Sequence, residues 1–284
     1  MTLHERVAAA RTRLRHAGIP TDEADLDARL LAEHVLGWST ERFFTDANQP
    51  EPGGFPGQYH RLIARRAARE PFAYIVGHQE FWGLTFEVTP AVLIPRPETE
   101  LLVEIVLELV RAGAAPGRVC DAGTGSGCVA VAIARERPQA TFVALDVSAE
   151  ALAVAQRNAE RHHASARISF LQSDLFGGVS GTFDVVVSNP PYVPERDRRI
   201  TQPEVRDFEP EAALFAGRDG LDAIRRLVRD APPRLAPNGW LVFEFGFGQA
   251  DAVGELISST AGLRMVALRR DLQAIPRAAV AQRV

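Results

Sequence analysis

Lysine is absent from this chain: all 32 basic residues are arginine. That removes a P-loop lysine, a Schiff-base lysine and a Ser-Lys nucleophile pair together. The avoidance itself is most simply genome base composition rather than function. The seven histidines all lie at or before His163, so residues 164–284 hold no His general base. A Ser-His-Asp enzyme or a His-ligated metal hydrolase built from that stretch is therefore disfavoured. Cys120 and Cys128 are the only cysteines, too few and badly spaced for a zinc site or a disulfide framework. They suit a reducing cytosol. No stretch approaches the roughly 20 uninterrupted apolar residues of a membrane span, and Met1-Thr2-Leu3-His4-Glu5-Arg6 lacks the apolar core of a signal peptide. The expectation is a cytoplasmic protein that meets no membrane.

What is present fits one large or two modest domains with real cores: 284 residues, 46% hydrophobic and 24% charged, with net charge −4. The first 70 or so residues read as helical. Apolar positions recur from Asp25 to Leu36, with Thr21-Asp22 as a start signal and Gly37 as a stop. A second helix is expected over Gln58 to Glu70, its row Arg61, Arg65, Arg66 and Arg69 being most simply a solvated face. Residues 71–97 read as a hairpin and connector, with extended segments at Tyr74–Gly77, Phe81–Val88 and Val92–Pro95. Arg96-Pro97-Glu98-Thr99-Glu100 then opens a helix. From residue 118 to about 188 strands and helices alternate, the pattern of a parallel α/β sheet with right-handed crossovers. Ligands of such sheets bind at the carboxyl ends of the strands.

Four candidate sites fall at four successive strand ends. Val119-Cys120-Asp121 runs into Gly123-Thr124-Gly125-Ser126-Gly127, where glycine permits a sharp turn and close backbone approach, and a helix start supplies free N–H groups. A dinucleotide fingerprint would require a third glycine where Cys128 stands. Gly123, Gly125 and Gly127 with Asp121 ahead suit S-adenosylmethionine, whose amino-acid end needs donors and acceptors rather than a pyrophosphate cradle. The next strand ends in Asp146, roughly twenty residues past the turn, where a carboxylate takes ribose hydroxyls; the plainer role is a helix cap. The strand after that delivers Asp174 and Leu175, an acceptor for the adenine amino group and an apolar contact for its ring, or simply a turn. The fourth ends in Asn189-Pro190-Pro191-Tyr192. Asn189 and the Pro190 carbonyl accept the hydrogens of a planar –NH2 group, and Tyr192 covers its face; proline offers acceptors in a fixed shape without competing donors. Alone, this tetrapeptide would more simply be a Pro-rich turn. Residues 193–218 form a long charged stretch whose position after Tyr192 favours a lid or partner-contact loop.

The chain resembles the bacterial release-factor glutamine methyltransferases (HemK type) nearly end to end. The resemblance rests on Glu80–Gly83, Leu93–Glu100, Asp121–Gly127, Ser188–Tyr192, Phe208-Glu209-Pro210 and Ile275-Pro276-Arg277. Leu93–Glu100 is its most specific segment, because Asn-Pro-Pro-Tyr also occurs in adenine N6 methyltransferases. The resemblance implies an α/β, Rossmann-like class I S-adenosylmethionine-dependent methyltransferase core with a seven-stranded sheet and a last antiparallel strand. It implies a helical substrate-recognition domain over 1–72, a β-hairpin linker over 73–97 and the methyltransferase domain over 98–284. The implied donor-binding residues are Asp121, Gly123, Thr124, Gly125, Ser126, Gly127, Asp146, Asp174, Leu175 and Asn189. Asn189, Pro190, Pro191 and Tyr192 would hold the glutamine amide of a Gly-Gly-Gln loop, with Asn189, Pro190 and Tyr192 acting in catalysis. No metal is expected, and the product of the donor would be S-adenosylhomocysteine. The implied partners are peptide chain release factors, met by a monomer that forms no stable nucleic-acid complex. Two departures stand out: Leu175 replaces an aromatic residue of some relatives, and Phe245-Gly246 follows Glu244 where a smaller or polar residue is usual, a change read as neutral.

Three other readings compete. An adenine N6 methyltransferase uses the same clamp on an exocyclic amine, but net charge −4 and the lack of a basic, aromatic-rich domain argue against DNA; Arg196, Arg198, Arg199, Arg206 and Arg218 keep RNA contact open. A non-catalytic donor-binding scaffold is disfavoured by the intact clamp. A nicotinamide oxidoreductase is disfavoured by Cys128.

Overall fold

The computed structural model describes residues 1–111 and 117–284. The chain divides into two compact units, Met1–Gly77 with Gln202–Phe208, and His78–Thr201 with Glu209–Val284.

The first unit is helical: α1 (Leu3–His16), α2 (Thr21–Leu36), α3 (Thr40–Asp46), α4 (Phe55–Ala67), α5 (Phe72–Val76) and, from far along the chain, α9 (Pro203–Phe208). Thr2 and Glu5 close a reciprocal capping box at the start of α1, which satisfies two backbone donors of the first turn. Gly37, at φ 63°, ends α2 in the left-handed region where a Cβ would be strained. Leu3, Val7, Leu14, Leu31, Phe43, Tyr59 and Ile63 share one core. The Tyr59 hydroxyl donates to the Ala28 carbonyl at 2.7 Å, so the ring enters the core without stranding its polar tip. Two expectations change here. Tyr74–Val76 is helical rather than extended, because Pro71 pre-sets the backbone at the start and Gly77 stops it in the left-handed region. The arginine row is no solvated face at Arg66, which is buried between Asp27 (2.6 Å) and Glu204 of α9 (2.9 Å). Arg69 pairs with the second oxygen of Glu204 at 2.6 Å. Partners distant in sequence supply the counter-charges that let the guanidinium leave water.

The second unit opens with a hairpin, β1 (His78–Phe81) and β2 (Leu84–Glu87). It continues through α6 (Glu100–Arg111), β3 (Arg118–Ala122), α7 (Cys128–Glu136), β4 (Thr141–Asp146), α8 (Ala149–Arg161), β5 (Ile168–Gln172) and β6 (Phe183–Ser188). It ends with α10 (Asp222–Asp230), β7 (Leu235–Glu244), α11 (Ala250–Ser259), β8 (Leu263–Arg270) and β9 (Pro276–Arg283). The sheet has seven strands in the order β5-β4-β3-β6-β7-β9-β8. The first five are parallel, and β9 runs antiparallel to both neighbours. Side chains alternate between two cores, as a strand buried on both faces requires. Val119, Val185, Val187 and Val242 pack with α6 and α7, whereas Cys120, Val186, Leu241 and Phe243 pack with α10 and α11. Both cysteines are buried and free. The chain leaves β3 toward β4 and β5, then returns to β6 on the other side. That reversal opens a crevice at the carboxyl ends of β3 and β6.

Candidate active site

A cavity of about 430 Å³ occupies that crevice, within the range of small-molecule sites. Asp121, Gly123, Thr124, Gly125, Ser126, Asp146, Asp174, Leu175, Asn189, Pro190 and Pro191 of the predicted set line it. Gly127 caps α7 behind the wall at φ 80°, its missing Cβ facing Ala155 Cβ at 3.0 Å. Tyr192 also stands outside that lining. Its hydroxyl turns away to donate to Glu244 Oε1 at 2.8 Å, and its ring packs on the α10–α11 core.

The glycine turn is held by β4: the N–H groups of Gly123 and Thr124 both donate to the Leu145 carbonyl at 2.8 Å. A Cβ built on Gly123 or Gly125 would meet nothing within 4 Å, so the turn presents bare backbone to the cavity. Asp121 is buried beneath it, its Oδ2 accepting from Thr124 Oγ1 at 2.7 Å and Ala130 N–H at 3.3 Å. Burial pushes this carboxyl up to about 6 against those two bonds. Asp146 accepts the Gly125 N–H at 2.9 Å and the Ser148 N–H at 3.0 Å, which pins the turn and keeps acceptor capacity toward the cavity. Ser148, not Asp146, caps α8, its Oγ accepting from Ala151 N–H at 3.1 Å. Ser126 Oγ is buried with no hydrogen-bond partner among the described residues, a polar atom in the cavity wall without an assigned bond. Asp174 is exposed and pairs with Arg226 at 2.7 Å. Leu175 follows in the left-handed region at φ 49°, and its carbonyl accepts from Ser173 Oγ at 2.8 Å.

At the far end Ser188 Oγ donates to the Ala122 carbonyl at 2.6 Å, tying β6 to β3 where Asn189 emerges. Asn189 Nδ2 donates to Thr99 Oγ1 at 3.0 Å, and Thr99 donates to Glu244 Oε2 at 2.7 Å. Burial holds the Glu244 carboxyl above its usual range even though both hydroxyls donate to it. Burial, then the adjacent Glu244 charge, raises the Tyr192 phenol. Gln249 completes the support, its Nε2 donating to the Tyr192 carbonyl at 3.0 Å.

Several lining residues escaped the sequence reading. Val147 is an exposed apolar side chain beside Asp146, and Leu93, Pro95 and Thr99 form a further wall. Thr99 sat in plain view inside the Leu93–Glu100 segment, but its partner Glu244 lies 145 positions away.

A parallel sheet with one antiparallel strand near its edge, a glycine turn after β3 and an acidic residue ending β4 define a class I methyltransferase. Residues 97–206 match the Methyltransferase small domain family and residues 5–77 the PrmC N-terminal domain. The release factor glutamine methyltransferase of Burkholderia pseudomallei is 47% identical over 89% of this chain and 90% of its own. That of Koribacter versatilis is 41% identical over 100% and 99%. This chain belongs to the release factor glutamine methyltransferase family. A methyltransferase from Pyrococcus furiosus shares the fold at TM-score 0.52 and 18% identity, covering 80% of this chain and 98% of that one. A 16S rRNA methyltransferase from T. Thermophilus, solved with AdoMet and guanosine, shares it at TM-score 0.51 and 20% identity, covering 73% and 50%.

Proposed function

We propose that this protein methylates the side-chain amide nitrogen of the glutamine in the Gly-Gly-Gln loop of peptide chain release factors, using S-adenosylmethionine. The observation that carries this is the shared cavity: the glycine turn, Asp146 and Asn189 all face one space. The wall suits the donor in its chemistry. Asp121 is a carboxylate for an ammonium, Gly123 and Gly125 leave backbone open, Ser126 Oγ offers an unused polar atom, and Val147 and Leu175 supply apolar surface for a base. Bound there, S-adenosylmethionine supplies a methyl group on a sulfonium, an electrophile that needs no activation by the protein.

The remaining difficulty is the acceptor, because an amide lone pair is delocalised into its carbonyl. Asn189 Oδ1 and the Pro190 carbonyl accept both amide hydrogens, favouring a pyramidal nitrogen whose lone pair is aimed. Positioning of this kind contributes several kcal/mol, up to about 7–11 in ideal intramolecular cases. The same acceptors stabilise the positive charge that develops on nitrogen. Among the described residues no histidine lines the cavity, which suits a proton that leaves the methylated nitrogen to water. Tyr192 backs the clamp through Glu244 rather than covering the amine.

Release factors are the proposed partners, met by a monomer in the cytoplasm without a stable nucleic-acid complex. The test is intact-mass spectrometry of a release factor incubated with this protein and S-adenosylmethionine, beside a Gly-Gly-Ala control. Addition of one methylene that requires the glutamine is expected. No addition, with donor binding intact, would reject the substrate and send the same assay to an RNA amine.

A further inference from the structure

A carboxamide turned over about its last torsion exchanges C=O for NH2 in the same space. For a side chain that must accept hydrogens from an amine, one face attracts and the other repels. Asn189 therefore needs something that fixes its face, and the chain provides it.

Thr99 Oγ1 has one hydrogen, and it is spent on Glu244 Oε2 at 2.7 Å. Toward Asn189 the hydroxyl can then only accept, and Nδ2 stands opposite at 3.0 Å. Glu244 cannot release that hydrogen freely. Its side chain is 2% exposed and its other oxygen accepts from the Tyr192 hydroxyl at 2.8 Å. Turning Asn189 over would set two acceptors face to face, or strip a buried carboxylate oxygen of its donor, which is costly in a dry interior. Thr99 is itself held on both sides. The Ile94 N–H donates to Glu209 Oε2 at 3.1 Å, Arg96 pairs with Glu209, and Glu100 Oε1 accepts the Trp82 N–H at 2.7 Å. Arg96 and Glu100, on either side of Thr99, are thus each tied to a residue outside the segment.

We propose that Thr99 and Glu244 are positioning residues for methyl transfer, locking Asn189 with its carbonyl oxygen presented to the acceptor amine while Glu244 also anchors Tyr192. This rests on the reading of Asn189 as the amine clamp. It assigns a role to a segment that belongs to neither the glycine turn nor the acidic end of β4.

The test compares Thr99→Val, which keeps shape and removes the hydroxyl, with Thr99→Ser, which keeps the hydroxyl. Wild type, Asn189→Ala and Glu244→Gln are run alongside. Turnover and KM for the release factor, donor Kd by calorimetry and melting temperature are measured on each. Thr99→Val is expected to lose about 10- to 100-fold in kcat, as for loss of one aligned contact. Its KM and donor Kd should stay within about threefold, and Thr99→Ser should recover to within about threefold of wild type, since the single hydroxyl is what one positioned bond requires. Glu244→Gln, whose amide can reverse the relay, should fall between them. Thr99→Val at full rate, or Thr99→Ser as slow as Thr99→Val, overturns the inference. An active wild type with inactive Asn189→Ala and fully active Thr99→Val sinks this proposal alone. A wild type that binds donor and leaves the release factor unmodified, or a fully active Asn189→Ala, removes the clamp reading and this inference with it.

Discussion

Asp121 carries a charge that its surroundings oppose. Its folded value near 6 stands above the ordinary 3.8, so between those values the folded chain binds more protons than the unfolded one. Stability therefore falls as pH rises from about 4 to 6 and is flat above, a cost of about 3 kcal/mol at neutral pH. Asp121→Asn should raise the unfolding free energy at pH 7 by about 1–3 kcal/mol, read from denaturant curves, while weakening the donor at least about tenfold through loss of a charged contact. Wild-type donor affinity should decline as pH drops through 6 and that of the variant should not, which calorimetry at two pH values decides. Asp146→Ala should chiefly raise donor Kd, by about 10- to 100-fold, with less effect on turnover at saturation. An unchanged Kd would remove it from the ribose role.

Elements were legible where a local rule fixed them. The turn Gly123–Gly127, the strand ends at Asp146 and Ser188, and the stop at Gly37 each follow from a residue whose backbone or periodicity permits little else. Arg66 was misread because helical spacing reports a face, not what lies against it; Asp27 and Glu204 sit 39 and 138 positions away. The Thr99–Glu244 bond was invisible for the same reason. These elements carry two predictions. Gly127→Ala forces a left-handed residue against Ala155 Cβ at 3.0 Å. It should cost at least about 1–2 kcal/mol, and Ala155→Gly in the same chain should restore the steric part of the melting temperature but not the backbone part. Arg66→Ala leaves Asp27 buried without its cation and Glu204 with Arg69 alone, and should destabilise the helical unit by about 3–5 kcal/mol, visible as an earlier thermal transition.

Across the whole molecule, the helical unit and the sheet unit each own a core, and the cavity is lined by residues of the sheet unit alone. Saturating S-adenosylmethionine should therefore raise the transition of that unit, by about 2.7 kcal/mol at a hundredfold excess over Kd, and leave the helical transition in place. Scanning calorimetry with and without donor reads this directly. Equal shifts of both transitions would show that the two cores unfold together.

The chain passes between the two units three times, at Gly77–His78, Thr201–Gln202 and Phe208–Glu209. A protease nick at the first joint would leave residues 1–77 with no covalent link to the rest, and their non-covalent contacts with residues 202–208, Arg66 on Glu204 among them, would have to hold the helical unit together. Recombination at that joint meets a different obstacle. A hybrid that takes residues 1–77 from one parent and the remainder from another inherits Arg66 from the first and its counter-ion Glu204 from the second. Half of an ion pair would travel on each side of the splice, and a chimaera whose second parent has no acidic residue at the place of Glu204 would leave Arg66 buried without that counter-ion.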